Sequence, residues 1–177
     1  QKENLLFINK IRELIDSGTI DSKPPVAPMA WLGDAIAIKD PTVAAFRRQG
    51  GTNLLIVGQR EDLATSILSM ATVSLAAGSD PYPGGAIGKA SRFVLFEPAI
   101  AEEHPDTMLS RLTEFLPHEI EVVSRLGVAD AFQDLAAEVQ RRLDEQILDA
   151  ESVFVVIRDL ARFREIRRNE NDFGFSM

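Results

Sequence analysis

The chain has 177 residues, 45% of them hydrophobic and 26% charged, which suits one globular domain with a sizeable core. It lacks cysteine, which excludes a disulfide framework and a cysteine metal site and fits a reducing, cytoplasmic compartment, and its two histidines, His104 and His118, do not make a zinc site. A net charge of -8, from 19 basic and 27 acidic side chains, argues against DNA as a partner of this segment alone; no apolar run reaches the roughly 18 residues that cross a membrane.

No signal-peptide pattern opens the chain, and Gln1 is not an initiator residue, so a piece of a longer protein is expected. Apolar residues at Leu5, Leu6, Ile8, Ile11, Leu14 and Ile15 form a helical stripe over residues 2–16 that Gly18 ends. Ser22 to Pro28 holds three prolines and reads as a linker. Residues 35–38 and 42–46 read as two short strands joined at Lys39-Asp40-Pro41. From Asn53 onward, short apolar strands alternate with amphipathic helices. The strands are expected at 54–57, 93–96, 120–123 and 153–157, and the helices at 62–77, 107–116 and 129–148. Strands apolar on both faces, separated by helices, imply a mainly parallel sheet covered on both sides. The expected organisation is an N-terminal helix (1–22), a linker with a leading hairpin (23–49) and an α/β core (50–177).

The most informative segment is Leu54 to Thr65, LLIVGQREDLAT. A phosphate-binding loop reads G-x-x-x-x-G-K-[ST] between a strand and a helix, because its glycine backbone and lysine cradle phosphates. Gly58 fits the first glycine and Thr65 the final hydroxyl, with Gln59 and Arg60 in the loop between them. Leu63 and Ala64 stand where the second glycine and the lysine belong. Glu61 and Asp62 add carboxylates at the helix start, where unpaired N–H groups attract anions. They are placed to occupy from within the chain the position a nucleotide phosphate would take. On this segment alone, an ordinary strand-to-helix turn with acidic first-turn residues is the preferred reading.

Further landmarks follow in order: Trp31-Leu32-Gly33-Asp34, Asn53 to Gly58, Phe96-Glu97-Pro98-Ala99, Leu116-Pro117-His118 with Val122-Val123, Glu138 to Arg142, and Val156-Ile157-Arg158-Asp159-Leu160. Over roughly residues 30 to 163 the set resembles the motor domain of the FtsK/SpoIIIE family, which includes the EccC-type ATPases of type VII secretion. That resemblance implies a three-layer, RecA-like P-loop NTPase fold, truncated after its Walker B strand, and a parent that translocates DNA in chromosome segregation or secretes protein.

In the family, the Walker B aspartate orients magnesium and the next glutamate prepares the attacking water. Arg158 takes the aspartate position here and Asp159 the glutamate position. Losing the lysine, the second glycine and the metal-side carboxylate leaves little for phosphoryl transfer. The resemblance therefore implies a pseudo-ATPase without catalytic residues, with relic cofactor contacts at Gly58, Gln59, Arg60 and Thr65. No bound cofactor is expected; the alternative is an active domain using ATP and magnesium. The expected role is a scaffold or regulatory surface contacting the rest of its parent and other subunits. The family's sensor strand, between the P-loop and Walker B strands, has no counterpart here, so a gap and a free sheet edge open to self-association are expected.

The remaining singled-out residues have structural readings. His118 is expected to pack at the start of a strand, and Trp31 where the hairpin meets the core. Glu138, Arg141 and Arg142 are expected to pair on a helix surface. The basic run Arg158, Arg162, Arg164, Arg167 and Arg168 reads first as a solvated helix face, with salt-dependent DNA binding as its alternative role.

Overall fold

The computed structural model of the chain describes residues 8–9, 12, 27–33, 42–83, 90–98, 107–147 and 150–166. The elements run β1 (Met29–Gly33), β2 (Thr42–Ala45), α1 (Glu61–Ala77), β3 (Ser91–Phe96), α2 (Leu112–Phe115), β4 (Ile120–Val123), α3 (Val128–Asp144) and β5 (Ser152–Ile157), with single 3-10 turns at Arg125–Gly127, Leu160–Arg162 and Arg164–Ile166.

The core is a three-stranded parallel sheet in the order β4-β3-β5, with β3 at its centre. Its register follows from β3, whose aromatic and β-branched residues are buried on both faces, as a covered parallel strand requires. Phe93 and Leu95 point to one side and meet Ala71, Leu75 and Ala76 of α1, together with Leu109 and Leu112. Val94 and Phe96 point to the other and meet Val123, Phe163, and Val128 and Ala131 of α3. The chain is thus a mixed α/β protein with helices flanking a parallel sheet.

Small residues let α1 lie close on the sheet. Its buried positions include Ser69, Ala71, Thr72 and Ser74. The hydroxyls this buries are satisfied locally: Ser69 donates to the Thr65 carbonyl and Thr72 to that of Leu68, each at 2.8 Å. Ser74 also accepts the Trp31 amide at 2.9 Å, which fastens β1 to the helix.

Several expected elements sit differently. β2, the second arm of the leading hairpin, pairs antiparallel with Met29–Gly33, while the arm expected at 35–38 lies outside the described residues. Burial decides this: Ala30 is fully enclosed against α1, so the hairpin's first arm is the stretch that packs. The Phe46 amide donates to the Pro28 carbonyl, carrying the pairing into what read as linker. The helix expected at 107–116 is confined to Leu112–Phe115, because turns at residues 107–111, where Thr107 and Ser110 bond each other's backbone, take its first part. Of the expected N-terminal helix only Ile8, Asn9 and Arg12 are described, and they are helical.

The largest departure concerns Leu54–Val57. No strand forms there; residues 52–58 carry no regular structure. Leu55 is 75% exposed and Val57 87%. Four successive apolar residues satisfy the sequence pattern of a buried strand, but a strand needs a neighbouring edge within hydrogen-bonding reach, and among the described residues β5 pairs only with β3.

His118 packs as expected, at the amino end of the sheet. Its ring is edge-on to Phe93 at 5.6 Å, and its Nε2–H donates to the Ser79 carbonyl at 3.2 Å. Its Nδ1 is buried with no partner among the described residues. Burial pushes the imidazole pKa below its ordinary 6.5, against smaller opposing effects of the Ser79 carbonyl and of Asp80. The unfolded chain therefore takes up the proton first. Stability is present in full above pH 6.5 and is lost as the pH falls through the lowered folded value. Urea midpoints measured from pH 8 to pH 5 should fall below about 6.5, and His118→Phe should flatten that limb. An unchanged limb in His118→Phe would refute the assignment.

Candidate functional site at the carboxyl ends of β3 and β5

Ligands in open α/β sheets sit outside the carboxyl ends of the strands, where diverging chains leave a crevice. Here two charged side chains leave the sheet at those ends. Glu97 follows β3 and Arg158 follows β5; their backbones extend the pairing, with the Glu97 amide donating to the Val123 carbonyl and the Arg158 amide to that of Phe96, both at 3.0 Å. Adjacent strands thereby place the two side chains together. Arg158 Nε donates to Glu97 Oε2, and Thr107 Oγ1 donates to Glu97 Oε1 at 2.9 Å. Glu97 is fully buried, so the guanidinium and the hydroxyl replace the water it has lost.

Next along the chain, Asp159 adopts the left-handed region, with φ 53° and ψ 60°. Aspartate tolerates that conformation better than most residues. Its Oδ2 lies 2.6 Å from Arg162 Nε, while the Arg162 guanidinium reaches Glu61 Oε1 at 3.6 Å. Glu61 opens α1, so these exposed pairs bridge from the end of β5 to the start of that helix.

The segment from Gly58 to Thr65 takes a form that composition alone does not disclose. α1 begins at Glu61, three positions after Gly58, so Leu63, Ala64 and Thr65 already lie within its first turns. Gly58 stands in open space, with nothing within 4 Å of where a Cβ would be. Arg60 enters the helix in an extended conformation and gives it no side-chain cap. Instead Arg60 pairs with Asp62, and the guanidinium holds the Asp62 carboxyl below its ordinary range. The Leu63 and Asp62 amides lower it further, which places an internal carboxylate at the helix N-terminus.

Gly58, Gln59, Arg60 and Thr65 share one cavity of about 670 Å³ with Arg158 and Asp159. Its walls are residues 53–61 on one side and 154–161 on the other, with Leu68, Ala71 and Leu75 of α1 as the floor. The donor set does not fit magnesium, which takes oxygen ligands in a near-octahedral shell. At the end of β5 an arginine stands where a carboxylate would be needed, and both oxygens of the nearest buried carboxylate, Glu97, are already engaged. No cluster of three metal-binding side chains occurs among the described residues.

Two other sequence features fall outside this site. Glu138 pairs with Arg141 and Arg142 on the surface of α3, and those guanidiniums draw its pKa down to about 2. Arg142 also donates to the Glu151 carbonyl at 2.7 Å, tying α3 to the lead-in of β5. In the basic run, Arg158 and Arg162 spend their charge on Glu97, Asp159 and Glu61, while Arg167 and Arg168 lie outside the described residues. The Glu97–Arg158 pair was not anticipated. Its signal was available: an acidic residue after one apolar strand and a basic one after another, which parallel neighbours bring together. No described helix is long and apolar enough to cross a membrane. Compared with known proteins, the chain matches no family model, no curated protein and no solved structure.

Proposed function

We propose that this chain is a degenerate P-loop-type domain of the FtsK/SpoIIIE kind, without ATP hydrolysis, acting as a scaffold or regulatory interaction module of a larger protein. The observation that carries the reading is the buried Glu97–Arg158 pair with Thr107. It fills the carboxyl ends of two neighbouring strands with a self-satisfied ion pair, where a hydrolase needs an open carboxylate for its metal. The helix N-terminus beside it is likewise met by the chain's own Asp62, itself held by Arg60.

The competing reading is a nucleotide-binding motor domain of a DNA-translocating or protein-secreting ring. What favours it is the cavity shared by Gly58, Gln59, Arg60 and Thr65, whose volume lies in the range of small-molecule sites. Isothermal titration with Mg-ATP, paired with a phosphate-release assay, separates the two. The interaction-module reading expects neither saturable heat nor turnover; micromolar binding with measurable turnover ends it.

A further inference from the structure

Three parts of the chain meet at the amino end of the sheet, and His118 sits between them. The turn that closes α1 supplies Ser79 and Asp80, β3 supplies Ser91 and Phe93, and the lead-in to β4 supplies His118 itself. The Ser79 hydroxyl donates to the Leu75 carbonyl at 2.9 Å, so the Ser91 hydroxyl is the donor in the 2.5 Å contact between the two serines. Two backbone bonds close the same junction. The Ser91 amide donates to the Asp80 carbonyl at 3.0 Å, and the Phe93 amide to the Glu119 carbonyl at 2.9 Å. Ser79, Asp80, Ser91 and His118 are all buried.

The imidazole is held through one nitrogen. A carbonyl can only accept, so the proton facing Ser79 is on Nε2, and Nδ1 is a bare acceptor. That Nδ1 is buried with no hydrogen-bond partner among the described residues. A second proton arrives at this atom, as an N–H with no described group to receive it and a charge with little water around it. The charged groups on the neighbouring described elements do not offset that cost. Asp80 favours the charged ring, but less than burial opposes it. Glu119 and Glu121 of the β4 segment and Glu114 of α2 are exposed to solvent. Arg92 of β3 pairs with Glu151, and Arg111, beside α2, lies over the Phe115 ring.

We propose that His118 is a proton-operated clasp: neutral, it fastens the end of α1 to the amino ends of β3 and β4; protonated, it leaves its pocket and frees that junction ahead of global unfolding. Release uncovers the edge of Phe93 that the ring now covers. The opposite end of the sheet is closed differently. There the Glu97 amide bonds to β4 and the Arg158 amide to β3, and the Glu97 carboxylate is held by Arg158 and Thr107. Acid therefore loosens one end of the domain and leaves the other shut. The opened junction takes the proton at the ordinary value of 6.5 and the closed one only below it, so the clasp is fully shut above 6.5 and weakens as the pH falls. The inference is independent of both readings of the proposed function.

Amide hydrogen exchange of the whole chain tests this, read residue by residue at about pH 7.5 and about pH 5.5 and corrected for the intrinsic pH dependence of exchange. Protection at Gly78, Ser79, Ser91 and Phe93, whose amides bond within the junction, should fall roughly fivefold or more on acidification. Glu97 and Arg158 should keep theirs. His118→Phe and His118→Gln should each make protection at the junction independent of pH; the glutamine keeps an N–H for the Ser79 carbonyl, and either variant decides the matter if the other does not fold. In the unaltered protein, the ring titration followed by proton NMR should have its midpoint below 6.5 and coincide with the loss of protection. Equal losses at the junction and at Glu97 and Arg158, no loss on acidification, or a loss that survives in a folded variant overturns the proposal. So does a ring midpoint at or above 6.5.

Discussion

Replacing Glu97 by alanine should lower the free energy of unfolding by about 3 kcal/mol or more, because removing one member of a buried ion pair leaves the other uncompensated. The loss should sit near the lower end of the usual 3–5 kcal/mol range, since the Arg158 side chain keeps 17% of its surface exposed and can recover some hydration. Thr107 would also lose its carboxylate acceptor. Glu97→Gln should cost less, because the amide oxygen still accepts from Thr107 while the charge is gone. The double change Glu97→Leu with Arg158→Met should recover most of the loss, as buried ion pairs exchanged for apolar residues of similar volume generally do. Urea unfolding with an unchanged slope measures all three. A Glu97→Ala loss under about 1 kcal/mol would mean that the pair does not hold the strand ends together.

Phe93→Ala should be at least as damaging, with a loss of about 3–5 kcal/mol. Phe93 is fully buried at the centre of the middle strand, stacked on Phe154 at 5.4 Å and covering His118. The neighbours belong to β3, β5 and the turn before β4, so the cavity cannot close by moving one side chain. A second consequence separates this variant from a generic core loss. With the phenyl ring gone, water reaches His118, its depressed pKa should relax toward 6.5, and the acid limb of the stability profile should shrink. The control is Val155→Ala on β5, an outer strand among the described ones, where 42% exposure predicts a loss of roughly 0.5 kcal/mol. Equal losses at Phe93 and Val155 would contradict the two-faced core described above.

Where periodicity and burial agree, reading the residues in order reached the fold. β3, β4, β5, α1 and α3 were each legible within a few residues, because an apolar run with a break on either side leaves few alternatives. The errors share one cause. Leu54–Val57 has the composition of a strand without a partner edge among the described residues, residues 107–111 spend the start of a helix on Thr107 and Ser110 turns, and the pairing of β2 with Met29–Gly33, reaching into what reads as linker, is selected by contact with α1. Propensity is local, whereas strand pairing and burial depend on what arrives from elsewhere in the chain.

For the candidate site, residue identities carried part of the reading. That Leu63 and Ala64 replace a glycine and a lysine, and that Arg158 stands after an apolar strand, is fixed by the order of amino acids and needs no coordinates. So is the absence of cysteine. Only the tertiary structure decided that Arg158 turns inward to a fully buried Glu97, and that the helix already begins at Glu61. It also decided that residues 53–58 and 154–157 line one cavity. Those outcomes depend on which strand lies beside which, a long-range choice made by burying β3 on both faces, and side chains 61 residues apart meet only after that choice is made.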